Sequence, residues 1–351
     1  MRTQSLGGAS PTSVAAVGAS FGRVAIAAAS ATHGRAGGAI ALLQGRTTAR
    51  ADWQRQTVRS NLPPALAHAY LADVAIAAVA PGPKIAVRVE RHFQRDFGVA
   101  RSIAIQNGAV SALTAAMDYR SDVLLAWQQN GAIYACLLRA SGRKDPTQRV
   151  GPSEPKPQIQ AVVSDNEHGM IAWSSTETPN RSTPRTRVYL SLSAAGVRFE
   201  APQLLTAFTD PQQAGRRPGS LALKRLSTEN VMLAWTVAEH GHYLVRAAAA
   251  VFAGSRPTTR LSDAHSQAIL ADLAPGPAGD AVVMWSSAPR LGGGLDTRRT
   301  ELWATRSRIV PHARVVFARP EMIAPAAANL APTVAVDPAD DRAVAAWMTL
   351  G

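Results

Sequence analysis

At 351 residues the chain exceeds the usual single core, so it holds either two domains or one large repeat fold whose small units share a continuous core. A hydrophobic content of 46% with 17% charged residues excludes a disordered chain, and no run of about eighteen apolar residues offers a membrane-spanning helix. The formal charge of +13 is almost all arginine, with lysine only at Lys84, Lys144, Lys156 and Lys224. It is scattered in runs no longer than pairs, which argues against a nucleic-acid-binding block.

Taken in chain order, one phrase recurs: GRVAIAAAS, ADVAIAAVA, SDVLLAWQQ, HGMIAWSST, ENVMLAWTV, GDAVVMWSS and finally DRAVAAWMTLG. Aligned on one position, the copies centre on Ala28, Ala78, Trp127, Trp173, Trp235, Trp285 and Trp347, at intervals of 46 to 62 residues. A period near fifty is that of propeller blades and exceeds the roughly 20 to 34 residues of leucine-rich or tetratricopeptide units. Inside each period the apolar runs are too short for helices. In the fourth unit PQIQAVVSD predicts strand A, NEHG a turn, MIAWSS strand B, TRVYLSLSA strand C and VRFEAPQLLT strand D. The fifth gives SLALKRL, VMLAWTV, HYLVRAAAA and a weaker stretch around SRPTTRLSD. The sixth gives AILADLAP, AVVMWSS, ELWATRSR and ARVVFARPEMIA. The helix propensity of VRAAAAVF yields to this repeat frame.

Strand B is apolar on both faces, as a central strand between neighbouring sheets requires, whereas strand C alternates along Arg187 to Leu192 and suits a wetter position. The tryptophan closing strand B is expected to be a packing wedge between sheets; in the first two units alanine takes its place. The predicted fold is all-β: a β-propeller of four-stranded antiparallel blades, one domain over residues 1–351. The copies make six full blades and the first half of a seventh, which predicts seven blades with an incomplete last one, six being the alternative.

Two stretches, Pro332-Thr333-Val334-Ala335-Val336-Asp337 with Arg342 to Trp347, and Gly279-Asp280-Ala281-Val282-Val283-Met284-Trp285, resemble bacterial secreted β-propeller repeats of actinobacterial type. Distantly, VYLSLSAAGVRFEAPQLLT resembles the strand pair of sialidase Asp-box propellers, but Ala194 and Ala195 stand where the acidic turn belongs. The resemblance implies an architecture and an extracellular or cell-surface location, but no activity. No leader is legible at the N-terminus, where Pro11 and Arg23 interrupt any apolar stretch, so a cytoplasmic location stays open.

In a blade of this strand order the B–C loops and D–A links share one face. The long loops fall there: Ser174 to Arg185, Ala207 to Arg217, Ser286 to Arg299, and Ala324 to Ala331. Insertions mark where binding surfaces develop, so the candidate ligand-binding residues are Arg181, Arg185, Arg216, Arg217, His240, Arg290, Asp296, Arg298 and Arg299. Their arginines favour an anionic partner, either an anionic carbohydrate or a protein.

No catalytic set is predicted. Glu239-His240-Gly241-His242 lacks a third metal ligand, Asp337 to Asp341 lacks the spacing of a calcium loop, and Gly292 to Gly294 does not open a helix. No metal or cofactor is therefore expected. Cys136, the one cysteine, sits in the apolar IYACLLRA and reads as buried and inert. A sialidase-like glycoside hydrolase or polysaccharide lyase is the alternative to a non-enzymatic binding or scaffold protein. That chemistry wants an arginine cluster beside carboxyl groups and often a tyrosine, and Tyr134, Tyr189 and Tyr243 lie on or at the start of C strands.

Overall fold

In the computed structural model of the protein the described residues are 13–19, 23–30, 38–46, 54–60, 65–68, 73–91, 98–154, 157–177, 184–194, 198–209, 220–228, 230–251, 254–255, 258–264, 267–288, 290–291, 294–295, 299–310, 314–336 and 341–350. Among them there is no helix. The chain divides into two compact units, Met1–Arg149 and Val150–Gly351.

The first unit carries three up-and-down antiparallel sheets, each with its strands paired in chain order. The first sheet is β1 to β4, at Ser13–Ala19, Arg23–Ser30, Gly38–Arg46 and Gln54–Ser60; the second is β5 to β8, at Ala65–His68, Val74–Ala80, Lys84–Glu90 and Arg101–Ala104. The third is β9 to β12, at Val110–Met117, Val123–Gln129, Ala132–Leu138 and Gln148–Pro152, its last strand falling at the unit boundary.

The second unit repeats the scheme. Its first sheet, the fourth in the chain, holds β13 to β17 at Gln158–Val163, Gly169–Glu177, Arg185–Ala194, Arg198–Phe199 and Gln203–Thr209. The fifth holds β18 to β22 at Leu221–Arg225, Asn230–Glu239, His242–Val251, Gly254–Ser255 and Thr259–Arg260. In both, the D position is split between two short strands on the same neighbour, which is why its apolar pattern is weak in the sequence. The sixth begins with β23 Gln267–Pro275 and β24 Ala281–Ala288, after which β25 Arg290–Leu291 and β26 Gly294–Leu295 form a small hairpin of their own. It continues with β27 Thr300–Val310, β28 Arg314–Phe317 and β29 Glu321–Val336, and β29 then pairs with β30 Ala343–Leu350.

Each four-stranded meander is a propeller blade, and the predicted A-to-D order holds in all six. The Ala-rich run at 247–250 lies within β20, as the repeat frame requires. All four spans expected as loops hold strand: β14 reaches Glu177 and β15 starts at Arg185 in the first, and β24 reaches Ala288 with β25 and β26 beyond it in the third. Strand β17 carries on to Thr209, and residues 324–331 lie inside the 16-residue β29, whose first half completes the sixth sheet while its second half opens the following hairpin. Pro325 lies within that span and Pro332 directly after it. Both fall within register shifts, between the Thr300 and Leu302 pairings and between Leu330 and Thr333, where a missing N–H removes no ladder bond.

The cores are layers between consecutive sheets. In the first unit Ala75, Ala77, Ile85 and Val87 of the second sheet meet Val123, Leu125 and Trp127 of the third. In the second unit one layer joins Met170, Val188 and Leu190 to Leu221, Leu233 and Trp235, and the next joins Met232 and Val245 to Leu270, Val283 and Trp285. Strand B is buried on both faces, as expected of a central strand. Trp127, Trp173, Trp235 and Trp285 are each at most 2% exposed and act as wedges, each taking roughly 150–250 Å² of surface out of water. Trp347 departs from the pattern. It is 38% exposed, because β30 pairs with β29 on one side and gains no C strand among the described residues.

Candidate functional site

Charged groups divide between the two ends of the blades. At the A–B end some stay within a sheet, as Arg139 does with Asp122 and Asp145, and others tie sheet to sheet. Ser121 donates to the Asp73 carboxylate, and Arg101 donates to the carbonyls of Arg139 (2.9 Å) and Ala140 (3.2 Å). Arg225 meets Asp165 at 2.5 Å, and Arg306 forks between Asp280 of its own sheet and Asp341 ahead of β30. Of these contacts, Arg225–Asp165 is an ion pair between sheets, partly withdrawn from water, and helps to hold blades in register.

At the B–C end the charged pairs stay within one sheet and are partly exposed. In the fourth sheet Arg187 donates to Glu177 at 2.9 Å, and in the sixth the Trp303 indole donates to Glu301 at 2.9 Å. In the fifth, Arg246 grips Glu239 with two bonds of 2.7 and 3.1 Å and reaches the Thr258 hydroxyl at 3.0 Å. The ties between sheets at this end are uncharged: Gln158 accepts from the Leu221 N–H at 3.0 Å, and Gln267 accepts from the Tyr243 N–H at 3.1 Å while donating to the Gly241 carbonyl at 3.1 Å. This end is held rigid by amides and presents its charge outward, the condition for recognising a charged ligand.

Of the predicted binding residues, Arg185 opens β15 opposite Glu177 and is exposed. Arg299 is exposed, and its guanidinium donates to the Ala326 carbonyl at 2.8 Å. Arg290 begins β25. His240 sits in a two-residue turn between Glu239 and His242, at φ 50° with Gly241 at φ 80°. Both positive angles belong to the primed turn that matches strand twist, and glycine reaches its value without strain. The histidines there thus serve a hairpin, and among the described residues no group of three His, Cys, Asp or Glu side chains comes together to hold a metal. Arg181, Arg216, Arg217, Asp296 and Arg298 lie outside the described residues. Sequence reasoning missed Glu239, Arg246 and Gln267. The first two are a B-strand end and a C-strand residue seven positions apart; in the hairpin register Glu239 lies opposite His242 and Arg246 opposite Trp235, so the pair is diagonal and bridged by the long arginine side chain.

A second feature lies at the outer rim of the fifth and sixth sheets. A groove of about 330 Å³ runs between β22 and β28, lined by Thr259, Arg260 and Leu261 on one wall and by Thr305, Val315 to Ala318 and Pro320 on the other.

No protein-family model matches the chain, and no curated protein does. Among solved structures it is similar to the Aleuria aurantia lectin, a fungal lectin with a six-bladed β-propeller fold and a novel fucose recognition mode, at 12% identity over 89% of this chain and 95% of that one, with a TM-score of 0.44. It is also similar to AofleA of Arthrobotrys oligospora, at 10% identity over 88% and 92% of the two chains with a TM-score of 0.40. The α-L-arabinanase of Penicillium chrysogenum complexed with arabinobiose matches at 10% identity over 68% and 76%, also with a TM-score of 0.40. Likenesses this distant assign no family, ligand or chemistry.

Proposed function

We propose that this protein is a non-enzymatic binding protein that engages an anionic carbohydrate through the B–C end of its fourth to sixth sheets. The observation that carries the reading is the state of the carboxylates there. Glu177 and Glu239 are each neutralised by an arginine of the same sheet, and Glu301 accepts from an indole. Glycoside hydrolysis needs two carboxyl groups facing one bond, one of them held protonated, and these pairings serve neither role. What the surface offers is the exposed cation of Arg185 on the fourth sheet and that of Arg299 on the sixth, the latter held by its bond to the Ala326 carbonyl. Guanidinium forks of this kind suit carboxylate or sulfate groups on a sugar chain.

The test is titration with an acidic polysaccharide and with a neutral one of equal length at low salt, with the products checked for cleavage. Binding of the acidic polymer that weakens with salt, falls about five- to tenfold in Arg185→Gln combined with Arg299→Gln, and leaves the polymer intact agrees with the proposal. Cleavage, or equal binding of the neutral polymer, overturns it.

A further inference from the structure

The rim groove between β22 and β28 lies apart from the B–C end, and its construction points to a ligand. Both walls are pinned. On the fifth sheet, Thr259 and Arg260 pair with Ala247 and Arg246 of β20. The Leu261 N–H donates to the Val245 carbonyl at 2.9 Å, Arg246 holds the Thr258 hydroxyl at 3.0 Å, and Ser262 accepts from the Val245 N–H at 2.9 Å. On the sixth, the Ala318 N–H donates to the Arg306 carbonyl at 2.9 Å and the Thr305 hydroxyl donates to the Ala318 carbonyl at 2.7 Å. Polar recognition therefore falls to the side chains that stay exposed, Thr259 and Arg260.

The floor is apolar. Leu261 is buried in the core layer between the two sheets, with Val315 and Phe317 packed half-buried against it, and Val316 is 41% exposed. Among the described residues that line the groove, none is a carboxylate and the charged one is Arg260. An occupant thus needs an anion for Arg260, a flat apolar face for Phe317 and a hydroxyl for Thr259. The volume is at the lower end of the range of about 300–1,000 Å³ typical of small-ligand sites. We infer that the groove is a binding subsite for a carboxylate-bearing sugar, with the carboxylate on Arg260 and the C–H face of the ring over Phe317. It is a second site that shares Arg246 with the B–C end through the Thr258 contact but does not use Arg185 or Arg299. Its walls are fixed before the ligand arrives, so little ordering opposes binding.

The experiment is calorimetric titration of the whole protein with glucuronate, glucose and benzoate. Glucuronate is expected to bind in the millimolar range, with glucose and benzoate at least about tenfold weaker. Arg260→Gln and the groove-filling Thr259→Trp are both exposed positions that leave the core intact, and each is expected to abolish binding. Arg185→Gln with Arg299→Gln is expected to weaken the acidic polymer, whose several carboxylates engage both cations at once, while the single carboxylate of glucuronate stays bound at Arg260, so failure at one site is separable from failure at the other. Equal binding of benzoate or glucose, binding that survives both groove substitutions, or no glucuronate binding at low salt overturns the inference.

Discussion

Gly151 lies flat against the indole of Trp173. A Cβ at residue 151 would come within 2.8 Å of Trp173 Cζ2 and 2.9 Å of Pro202 Cγ, closer than side chains pack. The glycine is required by this close approach, and the wedge of the fourth sheet depends on it. Gly151→Ala is expected to destabilise the second unit by about 1–3 kcal/mol, seen as a lower urea midpoint at unchanged slope. A midpoint equal to that of the parent protein would show that the indole moves aside freely.

The same indole differs from its repeats in one bond. Trp173 Nε1 donates to the Pro152 carbonyl at 3.1 Å, whereas the buried Nε1 atoms of Trp127 and Trp235 have no acceptor. Trp→Phe leaves a similar void at each position, but at 173 it also removes a hydrogen bond, whereas at 235 it removes a buried N–H that has no acceptor. Trp173→Phe is expected to cost about 1 kcal/mol more than Trp235→Phe in parallel chemical denaturations. Equal losses would remove the hydrogen bond from the explanation.

Arg306 joins the sixth sheet to the hairpin of β29 and β30 through Asp280 and Asp341. Asp280 is buried and its partner only partly so, which places the cost of Arg306→Met at about 1–3 kcal/mol, below that of a fully buried pair. The loss should appear first as faster amide exchange along Ala343–Leu350, with the fourth and fifth sheets protected as before. Uniform loss of protection would mean that the latch is not local.

Burial, and after it the charge of Asp145, raise the Cys136 thiol from 9.0 to about 11. Between these values the unfolded chain sheds the proton while the folded chain keeps it, so the native state binds more protons and stability falls as pH rises through that window. Thiol reagents at pH 8 are expected to react only at the rate of unfolding. The fall in stability from pH 8 to 11 is expected to be smaller in Cys136→Ala by up to about 2–3 kcal/mol. Rapid labelling of the native protein would contradict this.

The blade scheme was legible because burial imposes it locally. A central strand covered on both sides must be apolar throughout, and the runs VLLAWQQ, MIAWSS, VMLAWTV and AVVMWSS state this outright. Outer strands left weaker traces. The D positions of the fourth and fifth sheets are split into short pieces with one wet face, and β29 crosses two prolines that only a register shift explains. A composition that reads as a loop is compatible with a strand wherever the ladder has already slipped.

The candidate sites show the same division. That the charge is arginine-rich and that the apolar phrase recurs are properties of residue type and order. Pairing partners are not. The Glu239–Arg246 fork, the three-way tie of Arg306 and the groove that sets Arg260 beside Phe317 join residues between 7 and 61 positions apart in the chain. Side-chain pairing across strands depends on register and on which face each residue takes. Both are decided when the sheets stack, because burying the apolar face of each blade against the next leaves one arrangement for the polar groups around it.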